Sequence, residues 1–186
     1  MKNLESNVKI VIGSWGSYNA CSNRSLGSKW LTLSNYIDWE QIEAELKKQG
    51  FKLDGIDEEL FIQDIDGLPS DCCNWDYINP KRLFEILSES DVLYNDYKYE
   101  VLQAFLEIKD FSDFENLVDS YGTNWDDDIH LYKNWDWEQY GRDYYRNCNG
   151  EINDDIDNFF DFERYGESVG YSFAYKYSEG IIEIYN

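Results

Sequence analysis

Basic residues are scarce in this chain of 186 residues. Sixteen lysines and arginines stand against 38 aspartates and glutamates, a formal net charge of −22. The clustered Lys and Arg of a nucleic-acid-binding surface are therefore missing, and no nucleic-acid partner is expected. Proline occurs only twice, which excludes Pro-rich linkers. Histidine occurs once, at His130, and the cysteines at 21, 72, 73 and 148 form no C-x-x-C. That spacing supports neither a structural zinc site nor a disulfide framework. The four thiols are expected to be buried or half-buried. No run approaches the ~18 apolar residues of a membrane span, and MKNLESNVKI lacks an apolar signal core. A soluble cytoplasmic protein with no membrane partner is the expectation.

What is present is apolar mass and acid. Apolar residues make up 42% and aromatics 18%, enough for a core. Residues 1–37 hold one acid and four bases and sum to +3; residues 38–186 sum to −25. Three stretches carry no Lys or Arg: 53–80 with eight acids, 110–132 with seven and 147–163 with six. Such runs must face water, cations or a basic partner. Glu43 and Lys47 make a favourable i,i+4 pair. Glu85/Glu89, Asp96/Glu100 and Glu115/Asp119 are like-charge pairs, each costing about 0.2–0.5 kcal/mol, which stability alone would not repeat.

The periodicity predicts an α+β protein. VKIVIGSWG reads as a strand ending in a Gly turn, YNACSNRSLGS as a polar loop and KWLTL as a second strand. A helix follows Asp38, with Gln41 three residues on and Gly50 at its end; EELFIQDI is a third strand. PKRLFEILSES starts a helix at Pro80 with Leu83, Phe84 and Leu87 on one face. YKYEVLQAFLEI and SDFENLVDSY are further amphipathic helices, the last with Phe114, Leu117, Val118 and Tyr121 facing inward. DWEQYGRDYY at 136 and DFERYGESVG at 161 both open Asp-aromatic-Glu-polar-Tyr-Gly. Asp136 and Asp161 are N-cap candidates, and Glu138 and Glu163 lie in the first turn, where the helix dipole favours them. YSFAYKY and GIIEIYN close the chain as a hairpin through SEG. Three subdomains are expected: an α+β unit at 1–70, a helical middle at 71–121 and an α+β unit at 122–186.

Signatures of catalysis fail. There is no P-loop, no dinucleotide fingerprint in GSWG and no G-x-S-x-G elbow. An EF-hand register on Gly67 puts Ile62 and Cys73 at the first and twelfth positions; one on Gly150 puts Tyr145 and Ile156 there, and neither pair can ligate calcium. Paired carboxylates of a glycosidase are unspecific among 38 acids. No catalytic residue, metal ligand or cofactor is assigned. An acidic glycan-processing or cation-binding protein remains the rival from another class.

VIGSWGSYNACSNRSLGSKWLTL, followed by a helix and EELFIQDIDGLP, resembles the N-terminal part of the ArdA antirestriction family. The middle helices and FFDFERYGESVGYSFAYKY are similar to the rest. The most specific positions are Gly13, Tyr18, Asn19, Gly27, Trp30 and Leu31, then Phe61, Gln63, Asp64, Gly67 and Pro69, and finally Asp161, Phe162, Glu163, Tyr165 and Gly166. The long first loop GSYNACSNRSLG and the insert-like NWDWEQYGRDYYRNCNGEINDD depart from the family.

The resemblance implies a non-enzymatic DNA mimic, elongated and dimeric. It would occupy the DNA-binding groove of type I restriction-modification enzymes, on their methyltransferase core. The resemblance also places an antirestriction segment and the dimer contact near 137–166. The mimicking surface is then expected at Asp54, Asp57, Glu58, Glu59, Glu85, Glu89, Asp96, Glu100, Glu107, Asp110, Asp113, Glu115, Asp119, Asp126, Asp127, Asp128, Asp154, Asp155 and Asp157. Dimer-contact candidates are Trp137, Tyr140, Tyr144, Tyr145, Phe159 and Tyr165. A mimic directed at another DNA-binding protein is the alternative within this class.

Overall fold

The run KIVIGS is apolar without alternation, the pattern of a strand covered on both faces. In the computed structural model, which describes residues 7–69 and 71–185, it forms β1 (Lys9–Ser14), buried from Ile10 onward. β1 lies between β2 (Leu31–Thr32) and β3 (Leu60–Asp66), antiparallel to both. Ile10 pairs with Leu31 on one side and Ile65 on the other, and a bulge interrupts the β1–β3 register between Val11 and Ile12.

GSWG is not the simple turn expected. The Ser14 hydroxyl accepts from the Ser17 N–H at 3.3 Å and caps a short helix, α1 (Trp15–Asn19), so the polar loop starts only after it. α2 (Trp39–Lys48) begins as expected: Asp38 accepts from Gln41 N–H at 2.9 Å. Gln41 reaches back to the Ile37 N–H at 3.2 Å instead of the cap residue itself. Trp39, Ile42 and Leu46 bury one face. Glu43 and Lys47 do pair, at 3.7 Å.

Three capped helices follow: α3 (Pro80–Glu89) behind Asn79, α4 (Asp96–Leu106) behind Asn95 and α5 (Phe111–Tyr121) behind Asp110. Pro80 sits in the first turn of α3, where its missing N–H costs nothing. The inward stripe of α5 is shifted one turn towards its start. Phe111, Phe114 and Val118 are buried and Leu117 is half-buried, whereas Tyr121, expected inward, is 63% exposed in the last turn. Trp125 closes this core edge-on to Phe114 with its indole N–H on the Ser90 carbonyl at 3.1 Å. Tyr99 and Gln103 of α4 both donate to the Gly67 carbonyl, at 2.8 and 2.6 Å, tying the helices to the end of β3.

The chain divides into two compact units, Met1–Trp125 and Asp126–Asn186. The expected 1–70 and 71–121 segments both lie in the first, and the second begins at Asp126. In that second unit β4 (Ile129–Lys133), β5 (Ala174–Tyr177) and β6 (Gly180–Ile184) form an antiparallel sheet of order β4-β6-β5. The β5–β6 hairpin turns through Ser178 and Glu179. β4 and a short helix, α7 (Asp154–Phe159), have no counterpart in the sequence reading.

The two repeated fragments become α6 (Trp137–Asn149) and α8 (Phe162–Gly170), capped by Asp136 and Asp161 as expected. Asp136 and Gln139 complete a reciprocal capping box. The shared Tyr-Gly is where the helices cross. A Cβ on Gly141 would stand 2.0 Å from the Phe162 carbonyl oxygen, and one on Gly166 would stand 2.3 Å from that of Trp137. Each glycine thus meets the first residue of the other helix, so the two copies of the motif are related by a local two-fold. Backbone contact this close leaves no room for a methyl group.

Gly141→Ala is therefore expected to force the helices apart and destabilise the second unit by about 1–3 kcal/mol. Urea unfolding followed by far-UV circular dichroism measures this. A variant as stable as the parent would mean that the crossing is not fixed by the glycines.

Candidate functional site

Helix caps decide where much of the acid lies. Asp38, Asp110, Asp136 and Asp161 each accept a backbone N–H at a helix start, where the dipole favours negative charge. At Asp110 the Ser112 hydroxyl, at 2.7 Å, and the Asp113 N–H hold the carboxyl below its ordinary pKa. The caps fix these carboxylates in space. The apolar stripes of α3, α4 and α5 face inward and their acids outward.

Of the nineteen carboxylates expected on the surface, fifteen are exposed: Asp54, Glu58, Glu59, Glu85, Glu89, Asp96, Glu107, Asp110, Asp113, Asp119, Asp127, Asp128, Asp154, Asp155 and Asp157. Glu100, Glu115 and Asp126 are half-buried. They are distributed over both units, with Asp126–Asp128 and α7 in the second.

Asp57 is a correction. It is 1% exposed, accepting from the Ser17 hydroxyl at 2.5 Å and the Lys52 N–H at 2.8 Å. Burial pushes its pKa up. The Lys52 N–H, the Ser17 and Ser14 hydroxyls and the Arg24 charge outweigh that, so the net direction is below the ordinary value. Asp57 is an interior pin of the loop before β3.

The like-charge pair Glu115/Asp119 is also not left to repel. Arg82 of α3 reaches across to both, at 2.7 and 2.6 Å. Lys81 approaches Glu85 at 3.8 Å. In the second unit Arg142 stacks over the Phe162 ring at 4.4 Å, pairs with Glu138 at 2.8 Å and holds Asp157 of α7. Both arginines are held charged, their pKa raised by hydrogen bonds to these carboxylates. Arg82 lies 33 and 37 positions from its partners, so no sequence signal marked it. The i,i+4 spacing of Glu138 and Arg142 was readable. Near the N-terminus, Arg24, Lys29 and Lys48 line an open cleft of about 510 Å³ with Glu45 in its wall.

Among the aromatic contact candidates, Tyr140 is a correction. It is 2% exposed, and its hydroxyl donates to Glu183 at 2.6 Å, so it belongs to the core. Tyr132 donates to the same carboxylate at 3.1 Å. Trp137, Tyr144, Tyr145 and Tyr165 are half-buried, and Phe159 is exposed. Cys21 and Cys148 are exposed, against expectation, while Cys72 is buried and Cys73 half-buried. Among the described residues no three of His, Cys, Asp or Glu are grouped to hold a metal ion, and no helix is long and apolar enough to cross a membrane.

Fold and surface together define an α+β protein that displays carboxylates on capped helices. The chain belongs to the ArdA antirestriction family: the family model for antirestriction protein (ArdA) matches residues 10–183. No curated protein sequence matches the chain.

The pinned acid gives a pH-dependent expectation. A carboxyl whose pKa falls on folding contributes stability above its unfolded value, near 3.8, and loses it as pH drops through the folded value. Asp57→Asn should cost about 1–3 kcal/mol at pH 7 and lose less stability than the parent between pH 5 and 2. Urea midpoints over that range test it; parallel acid limbs in parent and variant would reject the role.

Proposed function

We propose that this antirestriction protein is a non-enzymatic mimic of B-form DNA. It occupies the DNA-binding groove of a type I restriction-modification enzyme, on the methyltransferase core inside the cell. The observation that carries this reading is the set of exposed carboxylates held on capped helices, with arginines bridging neighbouring pairs. B-DNA carries one charge per ~1.7 Å of axis, both strands counted. At two charges per base pair, −22 corresponds to ~11 base pairs for one chain and ~22 for a two-fold dimer. Fixed carboxylates stand in for phosphates, and binding releases the groove's own anions. The mimic offers no base edges for a sequence code, so it competes by charge and shape.

Arg82 and Arg142 are compatible with this reading because they neutralise little. Each holds two carboxylates at a set separation, as sugar and base pairs hold phosphates. A dimer suits a target that reads two half-sites. The half-buried aromatics Trp137, Tyr144, Tyr145 and Tyr165 supply contact area for it.

Purified protein is expected to displace duplex DNA from a type I methyltransferase core, with affinity falling as salt rises. Fluorescence anisotropy over 50–500 mM salt reads both, and binding indifferent to salt would reject charge mimicry. If other DNA-binding proteins are inhibited equally at matched salt, the target lies elsewhere in the same class.

Changing one exposed acid, Asp155→Asn, should alter inhibition less than twofold. Converting Asp110, Asp113, Asp126, Asp127 and Asp128 together should weaken it at least tenfold. Two chains of −22 repel, so self-association should tighten with salt while target binding loosens. Sedimentation showing only monomer at micromolar concentration and physiological salt would remove the dimer.

A further inference from the structure

The second unit exposes a phenylalanine where burial is available next to it. Phe159, the last residue of α7, is 88% exposed, and α7 buries none of its six residues. Its neighbour Phe160, 39% exposed, is held by ring contacts. The Phe160 ring lies 4.9 Å from Phe162, 5.2 Å from Tyr165 and 5.4 Å from Tyr145. Arg142 holds the same helix through Asp157. Phe160 and Asp157 thus anchor the segment on both sides of Phe159, which is presented outward from a held position.

Four other large side chains are more than 80% exposed: Leu26, Ile37, Tyr77 and Tyr171. Tyr77 and Tyr171 carry a hydroxyl that water satisfies, and Leu26 and Ile37 lie outside the base-free runs. Phe159 has no polar handle and lies within the base-free run 147–163. Asp154, Asp155, Asp157, Asp161 and Glu163 surround it in sequence, and all five are exposed. The complement of this surface is a flat apolar slot with a cationic rim. DNA methyltransferases contain that combination: they swing the target base out of the duplex and stack it in an apolar or aromatic pocket beside the phosphate-binding groove.

We propose that Phe159 stands in for the extruded base, entering the base pocket of the methyltransferase core while the surrounding carboxylates occupy phosphate positions. This rests on the DNA-mimic reading and adds to it a single uncharged contact that charge alone would not supply.

The test compares the parent with Phe159→Ala and Phe159→Trp for binding to a type I methyltransferase core. Sedimentation and thermal unfolding of each protein are run alongside. Stacking of this kind is worth about ten- to a hundredfold in affinity. Phe159→Ala should lose at least tenfold at every salt concentration without changing the slope of affinity against salt. Phe159→Trp should bind within threefold of the parent. Unfolding midpoints should not move, since the side chain is exposed. Parent-like binding by Phe159→Ala would overturn the proposal and leave the charge mimicry intact. A loss accompanied by weaker self-association would overturn it in favour of a contact between two copies. A parent that fails to displace DNA at any salt would reject the mimic reading itself.

Discussion

An apolar interior has to hold together a chain whose charges repel one another. A net charge of −22 on 186 residues opposes compaction, and the three base-free runs cannot relieve it locally. The opposing force comes from fully buried side chains such as Ile10, Ile12, Leu46, Leu83, Phe105 and Phe114 in the first unit and Ile181 and Ile182 in the second. Most of the acids stay outside that interior. Two exceptions show what burial demands. Asp57 accepts from one N–H, that of Lys52, and one O–H, that of Ser17, and Glu183, 4% exposed, accepts from Tyr132 and Tyr140. Burial first, and then Glu183, raise the phenol pKa values of Tyr132 and Tyr140 and push that of Tyr185 up to about 12.

Local chemistry turns the same excess of acid into structure. Aspartate at an N-cap satisfies a backbone donor and meets the favourable end of the helix dipole. Asp136 and Asp161 do this for two helices that then cross at glycines. The motif Asp-aromatic-Glu-polar-Tyr-Gly therefore joins two requirements in six residues: a charged start and a contact face small enough for backbone to meet backbone. The tyrosine before each glycine takes a different fate. Tyr140 is inside on Glu183, whereas Tyr165 stays half-buried among Tyr144, Tyr145 and Phe160.

Those fates explain what the sequence could disclose. Helix starts were legible because capping is local: Asp38, Pro80, Asp136 and Asp161 declare themselves within four residues. β4 was not, because IHLYK follows three aspartates and buries only Ile129 fully. α7 was not, because a helix with no buried residue has no apolar period to read. Asp57 could not be separated from Glu58 and Glu59, since its partner Ser17 lies 40 positions away. Tyr140 and Tyr165 occupy equivalent places in one motif, so only tertiary packing distinguishes core from surface. The acidic surface itself was legible in outline because its composition, not its register, carries the signal.

That difference bears on how such a surface can change over time. A field summed over many carboxylates depends weakly on any one of them, so aspartate and glutamate positions can drift along exposed helix faces with small effect. The scaffold cannot drift in the same way. Gly141 and Gly166 admit no Cβ without moving a carbonyl, and Trp125 must keep its indole N–H on Ser90. Arg82 and Arg142 fall between these cases. Each must reach two specific acids, so a shift of Glu115, Asp119, Glu138 or Asp157 by one position would leave a cation unmatched on a surface whose other charges are mostly negative. Geometry is therefore constrained most at the uncharged scaffold sites, less at the bridging arginines, and least at the abundant negative ones. The tightest constraints thus fall on residues without charge, Gly141, Gly166 and Trp125.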